Sequence, residues 1–195
     1  RLVREALDAG VLETYDEVGR VIVVAAPQNV GVLVEVLSPW PVLYVIQPTP
    51  VGVNRAVLIG LSVARSDHVT LVCADNLVEP MAWRQAPFFM GDTANDSLYV
   101  HGRELPHEQA ARFTYHGLND RWYEKISEGL DVRSSTSFCW LGPLVFKVSS
   151  MQHAIDVLLT QRDTPSLGLA FNHYTGEVRR ITSLSRDLGV KEELT

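Results

Sequence analysis

Three short apolar runs punctuate the first part of the chain: Val21-Ile22-Val23-Val24-Ala25-Ala26, Val42-Leu43-Tyr44-Val45-Ile46 and Val69-Thr70-Leu71-Val72-Cys73. Each is hydrophobic on both faces and rich in β-branched residues, the pattern of a strand buried between helix layers. Pro27 ends the first run. Gly31 to Leu37 fits a short helix, and Asn54 to Arg65 fits a core helix with Asn54 or Gly52 near its N-terminus. Ahead of these, Leu2, Val3, Ala6 and Leu7 share helical spacing, and Gly10 supplies a stop. Strands alternating with helices imply a largely parallel sheet covered on both faces, an α/β architecture.

After Asn76 the pattern changes. A helix is expected near Met81 to Phe89, a polar turn from Gly91 to Asp96, and strands at Ser97 to His101, Ala111 to His116 and Phe138 to Val148. Met151 to Leu159 reads as an amphipathic helix and Glu177 to Thr182 as a last strand. With no internal repeat and no low-complexity linker, residues 1–195 read as one domain.

Composition narrows the function. The net charge of -6, with both signs mixed along the chain, leaves no basic stripe for nucleic acid, although a few cations or a metal could still hold a small anion. No apolar run is long enough to span a bilayer, and the N-terminal residues lack the apolar core of a signal peptide. Cys73 and Cys139 read as buried thiols in a reducing, cytoplasmic setting. The six histidines show no zinc spacing, and Ser135-Thr136-Ser137 has no nucleophile-elbow pattern. The aromatics read as core or interface, with Trp122 or Trp140 a possible sugar wall, and the apolar C-terminal half could form a homo-oligomer interface.

The chemistry concentrates between Gln47 and Asn76. Pro48, Pro50 and Gly52 make a loop in which backbone can approach a ligand closely. Asp75 ends a hydrophobic strand, where ligands of open α/β sheets bind, and a carboxylate there could hold Mg²⁺ with substrate phosphates. The plainer reading of Asp75 is a turn or a helix cap. Asp187, before Gly189, could bring a second carboxylate to the first; alone it reads as a helix-entry residue.

Gln47-Pro48-Thr49-Pro50-Val51-Gly52-Val53-Asn54-Arg55-Ala56 resembles the Gln-x-x-x-x-Gly-x-x-x-Ala segment of sugar-1-phosphate nucleotidyltransferases, most closely the glucose-1-phosphate thymidylyltransferase type. Val72-Cys73-Ala74-Asp75-Asn76 resembles that family's Leu-Gly-Asp-Asn strand end, and Glu124-Lys125 its Glu-Lys-Pro motif. Trp140 to Phe146 is similar to its Thr-Gly-x-Tyr-x-Phe strand, and Asp187-Leu188-Gly189-Val190-Lys191-Glu192 to its Asp-x-Gly-Thr-x-Glu ending. All five occur in the family's order.

The resemblance implies a three-layer Rossmann-like nucleotide-diphospho-sugar transferase fold with a mainly parallel mixed sheet. It implies an enzyme that joins a nucleoside triphosphate to a sugar-1-phosphate with release of pyrophosphate. Gln47 would hydrogen-bond the nucleobase, and Gly52 would leave it room. Asp75 and Asp187 would hold Mg²⁺ between the phosphates, Lys125 would neutralise the sugar phosphate, and Glu124 and Gly142 would lie near the sugar. The family's N-terminal strand and its Gly-x-Gly-Thr-Arg-Leu loop are not in this sequence, so the domain reads as missing both; the chain opens at Arg1 rather than Met. Ala74, Ile126 and Val190 replace the family's Gly, Pro and Thr. The alternatives are an inactive nucleotide- or sugar-phosphate-binding relative, and a glycosyltransferase with a similar sheet.

Overall fold

A computed structural model gives the fold, describing residues 21–38, 42–49, 51–91, 96–124, 134–162 and 165–187. The helix expected at Leu2 to Ala9 lies outside them. Strands β1 (Val21–Ala25) and β2 (Val42–Ile46) pair in parallel, Val21 opposite Val42 through Ala25 opposite Ile46. Helix α1 (Pro27–Leu37) joins them, starting at Pro27 rather than at Gly31. In the first turn a proline loses no hydrogen bond and its fixed φ suits the helix, so the residue that stops the strand also starts α1. Helix α2 (Val53–Ser62) buries Val57 and Leu61. It stops short of Arg65, as the amides of Val63 and Ala64 close on the carbonyls of Gly60 and Leu61.

Strand β3 (His68–Leu71) ends two residues before the apolar run does. The chain turns there, with the Asn76 amide bonding the Cys73 carbonyl, and β4 (Asn76–Leu77) and helix α3 (Pro80–Gly91) follow. Strand β5 (Ser97–Pro106) runs five residues beyond His101, because it keeps pairing with the start of β8 (Thr136–Lys147). The strand expected from Ala111 shrinks to β6 (Tyr115–His116). Before it, Pro106 leads into the single turn α4 (His107–Ala110), and the Arg112 and Phe113 amides bond back to Gln109 and Ala110.

β8 runs antiparallel between β3 and β5, while β9 (Glu177–Thr182) adds in parallel outside β5. β3, β5 and β9 therefore share one direction against β8, which makes a mixed sheet. β6 and then β7 (Trp122–Tyr123) extend it near the start of β8. Among the described residues β1 bonds only to β2 and β3 only to β8, so each keeps one edge free of a strand partner. Val72, Val78 and Trp83 nevertheless pack with Val21, Val23 and Tyr44, joining the two sheets through side chains.

The main core lies under α5 (Val148–Gln161). Met151, Ala154, Ile155 and Leu158 recur at helical spacing, all buried, and pack with Leu98, Val100, Leu144 and Phe146. Burying each of the larger side chains contributes roughly 1.5–3 kcal/mol. The start of α5 is held by Asp96, whose carboxylate accepts hydrogen bonds from Ser150, Tyr174 and Thr175. Burial works to raise the Asp96 pKa, but bonds from Ser150 and Tyr174 and the charge of Lys147 bring it below the usual carboxylate range. Cys139 is buried as expected, its thiol pushed up to about 12 by burial and by Glu104; Cys73 is only half-buried. No helix among the described residues is long and apolar enough to cross a membrane.

Candidate functional site

Asp75 lies in the turn after β3, exposed to solvent, and its neighbour Asn76 opens β4. β4 pairs antiparallel with a short strand, β10 (Arg186–Asp187), Asp187 standing opposite Asn76 and Arg186 opposite Leu77. The backbone thus brings together the two acids that lie 112 positions apart in sequence (187 less 75). Asp187 belongs to a strand rather than a helix entry, and Asp75 belongs to a turn and caps no helix.

Serines fix this meeting. The Ser183 amide bonds the Gly102 carbonyl on β5, the Ser185 amide bonds the Ser183 hydroxyl, and the Ser185 hydroxyl accepts from the Glu79 amide, three residues past Asn76. Ser183 and Ser185 are buried, so water competes little for these bonds. Nothing in the apolar pattern marks them in sequence. Only their position just ahead of Asp187 could have drawn notice.

Gly142 sits beside the same segment. Between Val100 and Gly102 the β5–β8 register slips, and the irregular stretch holds Gly142 and Pro143, residues poorly suited to a regular central strand. A Cβ on Gly142 would lie 3.0 Å from the Cβ atoms of both His101 and Ser185, close enough that those neighbours would have to give way slightly. His101 is fully buried with neither ring nitrogen hydrogen-bonded, and burial lowers its pKa to about 4. It is a neutral imidazole.

Gln47 follows β2, its amide bonding the Ala25 carbonyl and so continuing the parallel ladder by one step. Its side chain is 8% exposed, and Nε2 has no partner. An unpaired buried amide costs stability, of order 1–3 kcal/mol, unless something bonds it. Gly52 precedes α2 with φ +84°, a left-handed conformation costly for other residues, and the space around its missing Cβ is open.

Glu124 stands elsewhere, after β7. One carboxylate oxygen accepts from the Arg162 guanidinium at 3.1 Å and the other from the Ser166 amide at 3.0 Å. Arg162 is half-exposed and was not marked by any motif. Lys125 lies outside the described residues. Trp122 is buried against Phe138 and Phe171, a core role; Trp140 is half-buried and donates to the Gly142 carbonyl at 2.7 Å. Among the described residues no cluster of three or more His, Cys, Asp or Glu could hold a metal. The candidate set is the smaller one of two carboxylates, which suits Mg²⁺ because that ion completes its shell with substrate phosphates and water. The Asp187 side chain is outside the described residues.

No protein-family description matches the sequence, and no curated protein matches it. Solved structures do. HddC from Yersinia pseudotuberculosis complexed with GMP-PN superposes with a TM-score of 0.64 at 19% identity, covering 98% of this chain and 81% of that one. A putative glucose-1-phosphate thymidylyltransferase from Bacillus anthracis, in complex with sucrose, gives 0.74 at 13% identity, covering 96% and 77%. A UDP-glucose pyrophosphorylase complexed with UDP-glucose gives 0.66 at 13% identity, covering 98% and 82%. The chain has the α/β fold of these nucleotide-diphospho-sugar transferases.

Proposed function

We propose that the protein transfers a nucleotidyl group from a nucleoside triphosphate to a sugar-1-phosphate, giving a nucleotide sugar and pyrophosphate. The observation that carries this reading is the register of β4 and β10, which sets Asp187 across from Asn76, one residue from Asp75. The fold shared with nucleotidyltransferases supports it.

In the reaction a sugar-phosphate oxygen attacks the α-phosphorus as the bond to pyrophosphate breaks. No protein nucleophile is needed; positioning and charge neutralisation suffice. Asp75 and Asp187 would hold Mg²⁺, which when bound polarises the phosphates and draws the two anions together. Gln47 offers its unpartnered Nε2 to a carbonyl of the base, and the open space at Gly52 admits the ring. Lys125 neutralises the sugar phosphate. Glu124, held by Arg162 and Ser166, accepts from sugar hydroxyls, with Gly142 nearby. A glucose-1-phosphate thymidylyltransferase type and a cytoplasmic setting, where both substrates occur, follow from the same reading.

The reading also requires a triphosphate loop, which the present sequence lacks. Among the described residues, the unpaired edges of β1 and β3 could receive its strand. The test is a preparation that includes the residues encoded upstream, assayed with Mg²⁺ for pyrophosphate release across pairs of nucleoside triphosphates and sugar-1-phosphates. Release that disappears in Asp75→Ala is expected. If no pair reacts and Asp75→Ala leaves nucleotide binding unchanged, the enzymatic reading fails.

A further inference from the structure

A cavity of about 340 Å³ opens where the start of β8 meets β6 and the end of β5, with Glu104, His116, Asp120, Thr136, Phe138 and Arg180 among its lining. None of these belongs to the site described above. Arg180 reaches in from β9, its guanidinium carbon 5.8 Å from the centre of the Phe138 ring and Nη1 3.3 Å from His116 Nδ1. Guanidinium nitrogens only donate, so Nδ1 accepts and the imidazole proton sits on Nε2, 3.7 Å from an Asp120 oxygen. Burial, then Arg180, lowers the His116 pKa, so the ring is neutral at pH 7.

Among the described residues, therefore, Arg180 leans on a neutral ring and a phenyl face and forms no ion pair. Among the described residues Glu104 has no ion-pair partner, and Asp120 has only the neutral His116. Charges of both signs face one cavity without neutralising each other. An anion alone would bond Arg180 but meet two carboxylates, and a cation alone would meet the guanidinium. A ligand bearing both charges answers each group.

We propose that this cavity binds a small zwitterion of the α-amino-acid kind, with its carboxylate on the Arg180 fork and its ammonium on Glu104 or Asp120. Arginine suits the carboxylate because its fork makes two parallel bonds. Phe138 backs the guanidinium and holds it in place. The site would act independently of the nucleotidyl-transfer reading.

Isothermal titration of the full chain with the common amino acids singly, with glucose and with inorganic phosphate tests the proposal. At least one amino acid should bind saturably at up to about millimolar concentration. Arg180→Gln and Glu104→Gln should each weaken it by about tenfold or more, as expected for lost charge-assisted bonds. Arg180→Lys, which keeps the charge but loses the fork, should weaken it too. Both side chains replaced, Arg180 and Glu104, are exposed, and unchanged thermal unfolding would show that the fold persists. The proposal is overturned if no amino acid binds, if only glucose or phosphate binds, or if Arg180→Gln leaves amino-acid binding intact.

Discussion

Asp187 stands directly opposite Asn76 in the antiparallel β4–β10 pair, so the residue after one candidate metal ligand is the ladder partner of the other. Two carboxylates set by one ladder should act as a unit. Asp75→Asn and Asp187→Asn should each lower the rate of pyrophosphate release by about a hundredfold or more, and the double variant should lose little beyond the worse single one. Independent, multiplying losses in single-turnover measurements would show that the two acids do not share an ion.

Gln47 supplies a second expectation, because its buried Nε2 has no partner in the protein. Gln47→Leu should raise KM for the nucleoside triphosphate about tenfold or more while leaving thermal stability unchanged or slightly increased, since the unpaired amide is removed. A lowered melting temperature with unchanged KM would make Gln47 a structural residue.

Gly142→Ala should destabilise the protein by about 1–3 kcal/mol, because the new methyl must displace His101 and Ser185. Urea unfolding reads this directly. The same substitution should reduce turnover, as Ser185 lies two residues from Asp187. Wild-type stability would mean that the loop carrying Ser185 yields freely.

His101 sets an acid limit. Its folded pKa is about 4 against an ordinary 6.5, so between these values the unfolded chain takes up a proton that the folded chain refuses. The contribution is fully present above pH 6.5 and is lost as pH falls toward 4, on the order of 3 kcal/mol in all. His101→Leu should flatten this part of the stability profile. An unchanged slope in the variant would assign the acid sensitivity to other groups.

The strands flanking α1 were readable from sequence because their runs are apolar and largely β-branched; Val21–Ala25 and Val42–Ile46 match the expected runs closely, although the expected burial on both faces is not met, most of their side chains being half-buried and Ile46 exposed. Helix α5 was readable in its middle, where Met151, Ile155 and Leu158 form a stripe, but not at Val148, whose amide is capped by the Asp67 carbonyl, nor at Gln161, where the last bond runs from the Arg162 amide back to Leu158. The strand expected at Ala111 shortened to β6 because Phe113 packs from the turn before it, while Tyr115 reaches the same cluster, with Leu105 and Leu141, from the strand itself. Asp75 and Asp187 were identifiable by resemblance, yet their convergence depends on Ser183, Ser185 and a two-residue ladder, features with no periodicity to detect. Arg162 was missed because its partner Glu124 is 38 residues away and no local pattern links them.

Asp96 also has a bearing on the order of assembly. Its side-chain partners lie 54 and 78 residues downstream, at Ser150 and Tyr174. During synthesis this carboxylate therefore gains its partners only after Ser150 and then Tyr174 have emerged. The clasp makes closure of the main core a late event, leaving β1, α1 and β2, whose contacts are local, free to form first.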